Sequence, residues 1–548
     1  MKIYPNIKRT YNELINKLKS SNRPMILVMI AIILTSLVFN IILTLPYHQM
    51  NNVKFQNLDE LKLSARYSPS KNGQGVIIVP DLNKEKSQYS ELVSLLLKQG
   101  YGVYIFDFPS LGNSDGYMTF DYKNNTYLAE QFYTALVSYA QMDKLNEDNI
   151  HIISYGAGSR AVLQTASMDF IHPRSMSLVV PEISLDDKLQ LNLLNFAQDK
   201  SIQWLSDLNN SSGGCNINIY YSNFDEYFNH EDQELLKSLL TTSSVNESNI
   251  RNEVESTKIN FTTHNKINNS YRANNMIVKN LCELDEIEYM PGYIFILRTP
   301  SIILFFITLI LFMCFYKTRY AKPNLEKIKM RNDFIFRKCR ALLPTIIILT
   351  VIPIAFYYLP IPYPSFDIFR ISCTASFGIT LYLLYRFTNY QENIGEHIFI
   401  SRKSITFRPI AFVGVLFILL VTALYYAGIK NYFSLQYGAI LWNIICTTLL
   451  IPIFYIDEKE SLLIDASLKL KLINRLINFS PIIIFTLIFL VLGQFAQVSI
   501  YISSVFCLII ILSLENILVQ LKSSTFINCT FKAILFQWLV FTQMTLFN

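Results

Sequence analysis

The segment Ile150-His151-Ile152-Ile153-Ser154-Tyr155-Gly156-Ala157-Gly158-Ser159 changes character halfway along. Isoleucines at 150, 152 and 153 read as a buried strand, and the small residues that follow read as a sharp turn into a helix over 158–168. The same alternation continues outward in both directions. Residues 75–80 (Gly-Val-Ile-Ile-Val-Pro), 102–108, 176–180, 217–222 and 258–263 read as further strands. The stretches 87–99, 128–141, 231–241 and 272–284 carry helical periodicity between them. Strands alternating with helices in this way predict an α/β domain, with a mostly parallel sheet and helices on both faces.

The run Gly100-Tyr101-Gly102-Val103-Tyr104-Ile105-Phe106-Asp107-Phe108-Pro109-Ser110-Leu111-Gly112-Asn113-Ser114-Asp115-Gly116 resembles the strand and loop that precede the nucleophile strand in the α/β-hydrolase superfamily. The resemblance covers roughly residues 53–288. Upstream, Val76-Ile77-Ile78-Val79-Pro80-Asp81 stands where that family has its oxyanion-hole strand, with Pro80-Asp81 in place of the usual His-Gly. The resemblance implies a G-x-S-x-G elbow, whose small flanking residues let a strained turn project a nucleophile. Alignment of Ile150, Ile152 and Ile153 with the family's strand puts Gly156 at the apex, flanked by Ser154 and Gly158. Glycine has no side chain with which to attack.

Two serines nearby offer an alternative apex. Ser159 lies between Ala157 and Ala161 with the required spacing, but it needs a strand running through Tyr155-Gly156. Ser154 has the bulky Ile152 two residues before it. Each of the three positions also has a plain structural reading, as a small residue for close helix–strand packing. The resemblance further places the acid at Asp225, after Asn218-Ile219-Tyr220-Tyr221-Ser222-Asn223-Phe224, and the general base at His264. In an active relative, the acid orients the imidazole and the imidazole takes the nucleophile's proton. Asp225 and His264 also fit a retained structural pair, with Glu226 and His230 as competitors.

The rest of the chain belongs to a different solvent. Of 548 residues, 51% are hydrophobic and only 16% charged, against about 25% charged in a soluble domain. Residues 25–46 are uncharged and long enough to cross roughly 30 Å of hydrocarbon, behind a segment with six Lys or Arg and the single acid Glu13. The apolar run is longer than a signal-peptide core, so an uncleaved anchor is expected. Apolar stretches resume near 293–316, 341–359, 366–385, 409–428, 434–455, 480–498 and 499–520, with a weaker one at 529–547 interrupted by Lys532 and Gln537.

Lys and Arg crowd every second loop, as cytoplasmic loops require. The expected organisation is therefore a cytoplasmic N-terminus at 1–24, an anchor at 25–46, an extracytoplasmic α/β-hydrolase-like domain at 47–292 and a polytopic region at 293–548. The membrane helices then form an all-α bundle of eight, or nine if 529–547 also crosses. Leucines and isoleucines interleaved with bases over 462–477 predict an amphipathic helix at the inner leaflet, or else a solvated linker. The spans themselves hold few ionisable groups, Arg298 at an outer end among them.

Two cysteines, Cys215 and Cys282, fall in the outer domain, where a disulfide is plausible. No Cys/His spacing suggests zinc, and no cofactor is expected. The net charge of +6 is modest and its placement speaks of membrane topology rather than nucleic acid. The Ile-, Lys- and Asn-rich, Gly-poor composition points to an AT-rich bacterial genome, and so to a bacterial inner membrane. The expected partners are the lipid bilayer and an envelope or lipid-like small ligand, with the oligomeric state left open. The expected function is a catalytically degenerate domain that binds or senses such a ligand. The alternatives are an active serine ester hydrolase or acyltransferase using Ser159, His264 and Asp225, and a transporter or channel with an accessory outer domain.

Overall fold

In the computed structural model, the described residues are 23–315 except 83, 110, 116–126, 168–170, 182–214, 226–229 and 243–252. Beyond 315 they are chiefly 335–343 in part, 374–383, 437–465, 468–491 and 525–540. Eight strands form one sheet in the order β1-β2-β4-β3-β5-β6-β7-β8. They are β1 Asn51–Gln56, β2 Lys62–Ser68, β3 Gly75–Val79, β4 Gly102–Phe106, β5 Ile150–Tyr155, β6 Ser175–Val179, β7 Asn216–Phe224 and β8 Glu253–Thr263. The pairs β1–β2 and β2–β4 are antiparallel and all others parallel. The antiparallel hairpin β1–β2 is absent from the sequence reading. Its strands do alternate, with Val53 and Phe55 in β1 and Leu63, Ala65 and Tyr67 in β2 at the apolar positions, but each offers only two or three such residues, and the edge strand β1 is mostly exposed.

The connecting helices are α1 Arg23–His48, α2 Ser90–Lys98, α3 Tyr127–Asp143, α4 Gly158–Ser167, α5 His230–Thr242 and α6 Tyr271–Leu284. The central strands are buried throughout, as parallel strands covered on both faces must be. Because successive side chains alternate, one apolar core gathers Ile77, Val79, Tyr104, Phe106, Ile150 and Ile152 under α3 and α4. The other gathers Val76, Ile78, Val103, Ile105, Ile153 and Tyr155 under α2 and α6. Each such side chain contributes roughly 1.5–3 kcal/mol when fully buried.

This alternation also separates the two cysteines of the α/β domain. Cys215 packs in the first core and Cys282 in the second, both buried and both free. The sheet lies between them, so the plausible disulfide is not formed and the alternative, two buried thiols, is what the fold has.

After residue 292 the chain enters α7, Arg298–Phe315, through a short 3-10 turn, Tyr293–Leu297. A short apolar helix, α8, covers Thr374–Leu383. Helices α9 Tyr437–Leu463, α10 Leu468–Asn478, α11 Ser480–Val491 and α12 Thr525–Val540 follow. Among the described residues, Pro24–His48 and Tyr293–Phe312 are long and apolar enough to cross a membrane. The expected stretches near 341–359, 409–428 and 499–520 fall largely outside the described residues, and with them the count of eight or nine.

These two apolar helices are joined to each other and to the α/β domain by polar contacts. Asn40 of α1 donates to Ser301 Oγ of α7 at 2.7 Å. Leu43 and Tyr47, at the C-terminal end of α1, and Met50 just after it belong to the second core. Arg66 of β2 donates to the Tyr47 carbonyl at 2.6 Å and stacks over its ring at 4.3 Å. Arg298 Nη1 meets Glu91 Oε2 at 3.0 Å, with side chains 4% and 2% exposed, while Asn274 donates to Glu91 Oε1 at 3.1 Å. Burial pushes the Glu91 carboxyl above its ordinary range, and Arg298 and Asn274 pull it partly back.

Removing one member of a buried ion pair strands the other, at a cost of about 3–5 kcal/mol. Glu91→Ala and Arg298→Ala are each expected to destabilise the full-length protein by that order. Glu91→Leu combined with Arg298→Met should recover most of the loss in the same denaturation measurement.

Candidate functional site

Strand β5 ends at Tyr155, and the backbone amide of Gly156 donates to the Val179 carbonyl of β6 at 3.0 Å. Gly156 has φ +51°, the left-handed region that favours glycine. Helix α4 starts two residues later. Gly158 lies so near the end of β3 that a Cβ there would collide with the Pro80 carbonyl. This is the sharp strand-to-helix elbow, with Gly156 at its vertex.

The space in front of that vertex holds Asp81. Its Oδ1 accepts from the backbone N–H of Leu82 at 2.9 Å and from that of Ala157 at 3.2 Å. One donor belongs to the loop after β3, the other to the residue after the apex. These are the two positions that supply an oxyanion hole in an α/β-hydrolase elbow. Here an internal carboxyl group occupies them. A Cβ on Gly156 would overlap Asp81 Oδ1 and lie 2.6 Å from its Cγ. Asp81 is 2% exposed, with Lys84 Nζ 3.9 Å from Oδ2. Lys84 also donates to Asn268 Oδ1 at 3.3 Å, which ties the site to the turn after β8. The Tyr89 hydroxyl accepts from the Asp81 amide at 2.9 Å, and burial raises its pKa well above the ordinary value. Arg160, one turn into α4, is buried and its pKa is lowered to about 10 by desolvation.

The other sequence-predicted residues are placed as follows. Ser159 lies in the first turn of α4, its amide bonded to the Gly156 carbonyl. Its side chain is wholly buried, and Ser154 Oγ donates to Ser159 Oγ at 3.0 Å. Asp225 is buried directly after β7, and His264 opens the 3-10 turn directly after β8. Since Phe224 pairs with Thr263, the two backbones stand side by side at the carboxyl edge of the sheet. The His264 side chain lies outside the described residues, as does Glu226. His230 is at the start of α5, its ring 3.0 Å from Gln233 Oε1 and stacked on Tyr221.

A serine–histidine–aspartate chain does occur among the described residues, but at the opposite edge of the sheet. His151 Nδ1 lies 2.7 Å from Ser175 Oγ, and His151 Nε2 lies 2.8 Å from Asp285 Oδ2. Tyr101 and Arg174 also donate to Asp285, at 2.8 and 2.5 Å. Ser175 and His151 are fully buried within extended strands, with no elbow and no paired backbone donors. The cluster fastens the residue after α6 to the sheet. Burial pushes the Asp285 carboxyl up, yet the hydrogen bond and charge of His151, with Tyr101 and Arg174, outweigh it and hold the carboxyl below its ordinary range.

The motif aspartate, Asp107, is likewise structural. Its carboxyl group takes a buried ion pair from Lys86 Nζ and a 2.7 Å hydrogen bond from the Lys86 amide. Gly112, at φ +53°, folds over it so closely that a Cβ would overlap its carboxyl oxygen. Sequence reasoning recognised Asp107 and Gly112 as a motif but assigned Asp81 no role. The substitution of Pro80-Asp81 for His-Gly was the available signal.

The strand order and the elbow are those of the α/β-hydrolase fold. No protein-family model matches the sequence, and no curated protein is similar to it. Among solved structures, the chain is similar to DcsB in complex with its substrate analogue, at 14% identity over 44% of this chain and 100% of that one, TM-score 0.35. It is also similar to the esterase Pf2001 of Pyrococcus furiosus, at 15% identity over 43% and 90%, TM-score 0.35. A third is a serine hydrolase homologue from Coxiella burnetii, at 16% identity over 42% and 97%, TM-score 0.30.

Gly156→Ser forces a Cβ into Asp81 and a left-handed backbone, which costs about 1–2 kcal/mol for a non-glycine residue before any clash. The single variant should therefore lower the thermal midpoint, and adding Asp81→Gly should restore part of it. Because Asp285 has a depressed folded pKa, its stabilisation is present at neutral pH and lost as pH falls through that folded value. Asp285→Asn should lower stability at pH 7 and shrink the further loss seen on acidification, as read by thermal melts across pH.

Proposed function

We propose that this chain is a multi-pass protein of a bacterial inner membrane whose extracytoplasmic α/β-hydrolase-like domain does no covalent catalysis and instead binds or senses an envelope or lipid-like ligand. The observation that carries this reading is Asp81 Oδ1 seated on the Leu82 and Ala157 amides in front of Gly156. Acyl transfer needs a nucleophile at the vertex and those donors aimed at the developing oxyanion. Here the vertex has no side chain. A negative oxygen arriving at the donors would also meet a carboxyl group already there. At about 4 Å, two like charges repel by roughly 1 kcal/mol in water and about 4 kcal/mol near a protein surface.

A sensing role also suits the way the domain is mounted. The outer end of α1 is part of the domain's own core, and Glu91 grips Arg298 at the start of α7. A shift of α2 or β2 on ligand binding would be carried into both apolar helices.

A second reading, transport or conduction by the C-terminal helices, is favoured by a buried ionic network. Lys338 Nζ meets Glu460 at 2.7 Å, and Lys532 Nζ meets Glu458 at 2.7 Å, all four residues at 0% exposure. Asn474, Asn478 and Asn528 complete the partners. Intramembrane ionisable groups commonly mark ion or substrate pathways. The sequence reading had placed Asp457–Glu460 in a loop, so this convergence went unseen. The pairs balance one another in charge, which fits stapling of α9 to α12 equally well.

The test is a fluorophosphonate probe on the full-length protein. No labelled serine is expected, and Ser159→Ala should behave as the parent protein does. Labelling that is abolished by Ser159→Ala would establish the hydrolase reading instead.

A further inference from the structure

Helix α10, Leu468–Asn478, is strongly amphipathic, but its polar side faces the protein. Asn474 and Asn478 are 6% and 0% exposed. The Asn474 amide donates to Glu460 Oε2 at 2.8 Å, and that of Asn478 to Asp457 Oδ1 at 2.9 Å and Glu460 Oε2 at 3.0 Å. Lys338 Nζ donates to Asn474 Oδ1 at 2.9 Å and to the Asn478 amide oxygen. The flanking bases are also turned to protein. Lys471 donates to the Ser461 carbonyl at 3.3 Å, and Arg475 donates to Ser461 Oγ at 3.0 Å and lies 3.4 Å from Asp457. On the opposite side, Leu472 and Leu476 are 59% and 49% exposed. A helix resting on a leaflet from the aqueous side shows the reverse, with its charges hydrated and its leucines hidden.

We infer that the Leu472–Leu476 face of α10 is a lipid-contact surface, seated among acyl chains while its asparagine face closes the ionic network of α9. The inference rests on the membrane reading above and goes beyond it in assigning this helix an orientation. Three observations name lipid as the occupant. The helices before and after it also carry exposed apolar residues, Ile444, Ile445 and Leu449 on α9 and Leu487, Leu490 and Val491 on α11. The described polar groups of α10 are satisfied internally, so the outward face asks for an apolar neighbour. Eleven residues span about 16 Å, roughly half a hydrocarbon core, which suits a partly inserted helix.

The experiment uses the wild-type full-length chain in phosphatidylcholine–phosphatidylglycerol vesicles that contain a phospholipid with a diazirine in its acyl chain. Crosslinked residues are identified by mass spectrometry, and hydroxyl-radical footprinting of the same vesicles reports water. Crosslinking at Leu472 and Leu476 several-fold above Asn474, alongside Leu34 and Val38 of α1, supports the inference. Labelled α1 with hydroxyl-radical oxidation of Leu472 and Leu476 overturns it in favour of a water-facing helix. Labelled α1 with neither signal at those leucines overturns it in favour of cover by protein, including a second copy. If Leu34 and Val38 fail to crosslink, the membrane reading itself falls, and the two failures are thereby told apart.

Discussion

Between Tyr155 and Gly158 the chain must leave a buried strand and enter a helix within two residues, while its amide stays bonded to β6. Only a left-handed backbone makes that turn, and glycine adopts it with the least strain. The geometry brings the Ala157 amide beside the Leu82 amide at the mouth of the sheet. Two aligned donors in a buried place need an acceptor. In a hydrolase the reacting oxygen supplies it transiently. In this chain Asp81 supplies it, and the absence of a side chain at Gly156 leaves the room. The two residues fit one another: a side chain at the apex without movement of Asp81 creates a steric clash.

The same logic of satisfying buried polar groups organises the mounting of the domain. Glu91 and Arg298 lie too deep to be hydrated, so Glu91 is kept by Arg298 and Asn274, and Arg298 by Glu91 and Ser90. Such a pair adds little net stability compared with apolar residues, because burial of charge is costly. What it adds is register, since the domain can dock on α7 only where the two charges meet. Tyr47 and Arg66 do the same for α1. The α/β domain therefore has two fixed connections to the apolar helices, and neither touches Gly156.

In the C-terminal helices charge is buried beside apolar side chains. Asp457, Glu458, Glu460, Lys338 and Lys532 are inside together with Leu450, Ile453 and Leu535, while Leu472, Leu476, Leu487 and Leu490 face outward. Charges taken out of water must find partners within the protein, and Lys338 with Glu460 and Lys532 with Glu458 do so.

Much of the sheet could be read directly from residue order. Continuous runs such as Val76–Val79, Val103–Phe106 and Ile150–Ile153 are buried on both faces, so their apolar character is unbroken and easy to see. The vertex at Gly156 was legible for a related reason, since isoleucine spacing fixes the strand and small residues fix the turn. The hairpin β1–β2 was not, because its alternation rests on only Val53 and Phe55 in one strand and Leu63, Ala65 and Tyr67 in the other, too few to stand out beside unbroken apolar runs. Asp81 looked like a departure from a pattern, and its meaning depends on Leu82 and Ala157, which lie 75 residues apart in sequence and meet only when β3 and β5 pair. Cys215 and Cys282 looked like partners because sequence does not say on which side of a sheet a residue lies. The charges at 457–460 looked like a loop because hydropathy scores each residue alone, whereas their burial is made possible by Lys338, Lys532 and the asparagines of α10, brought there by packing.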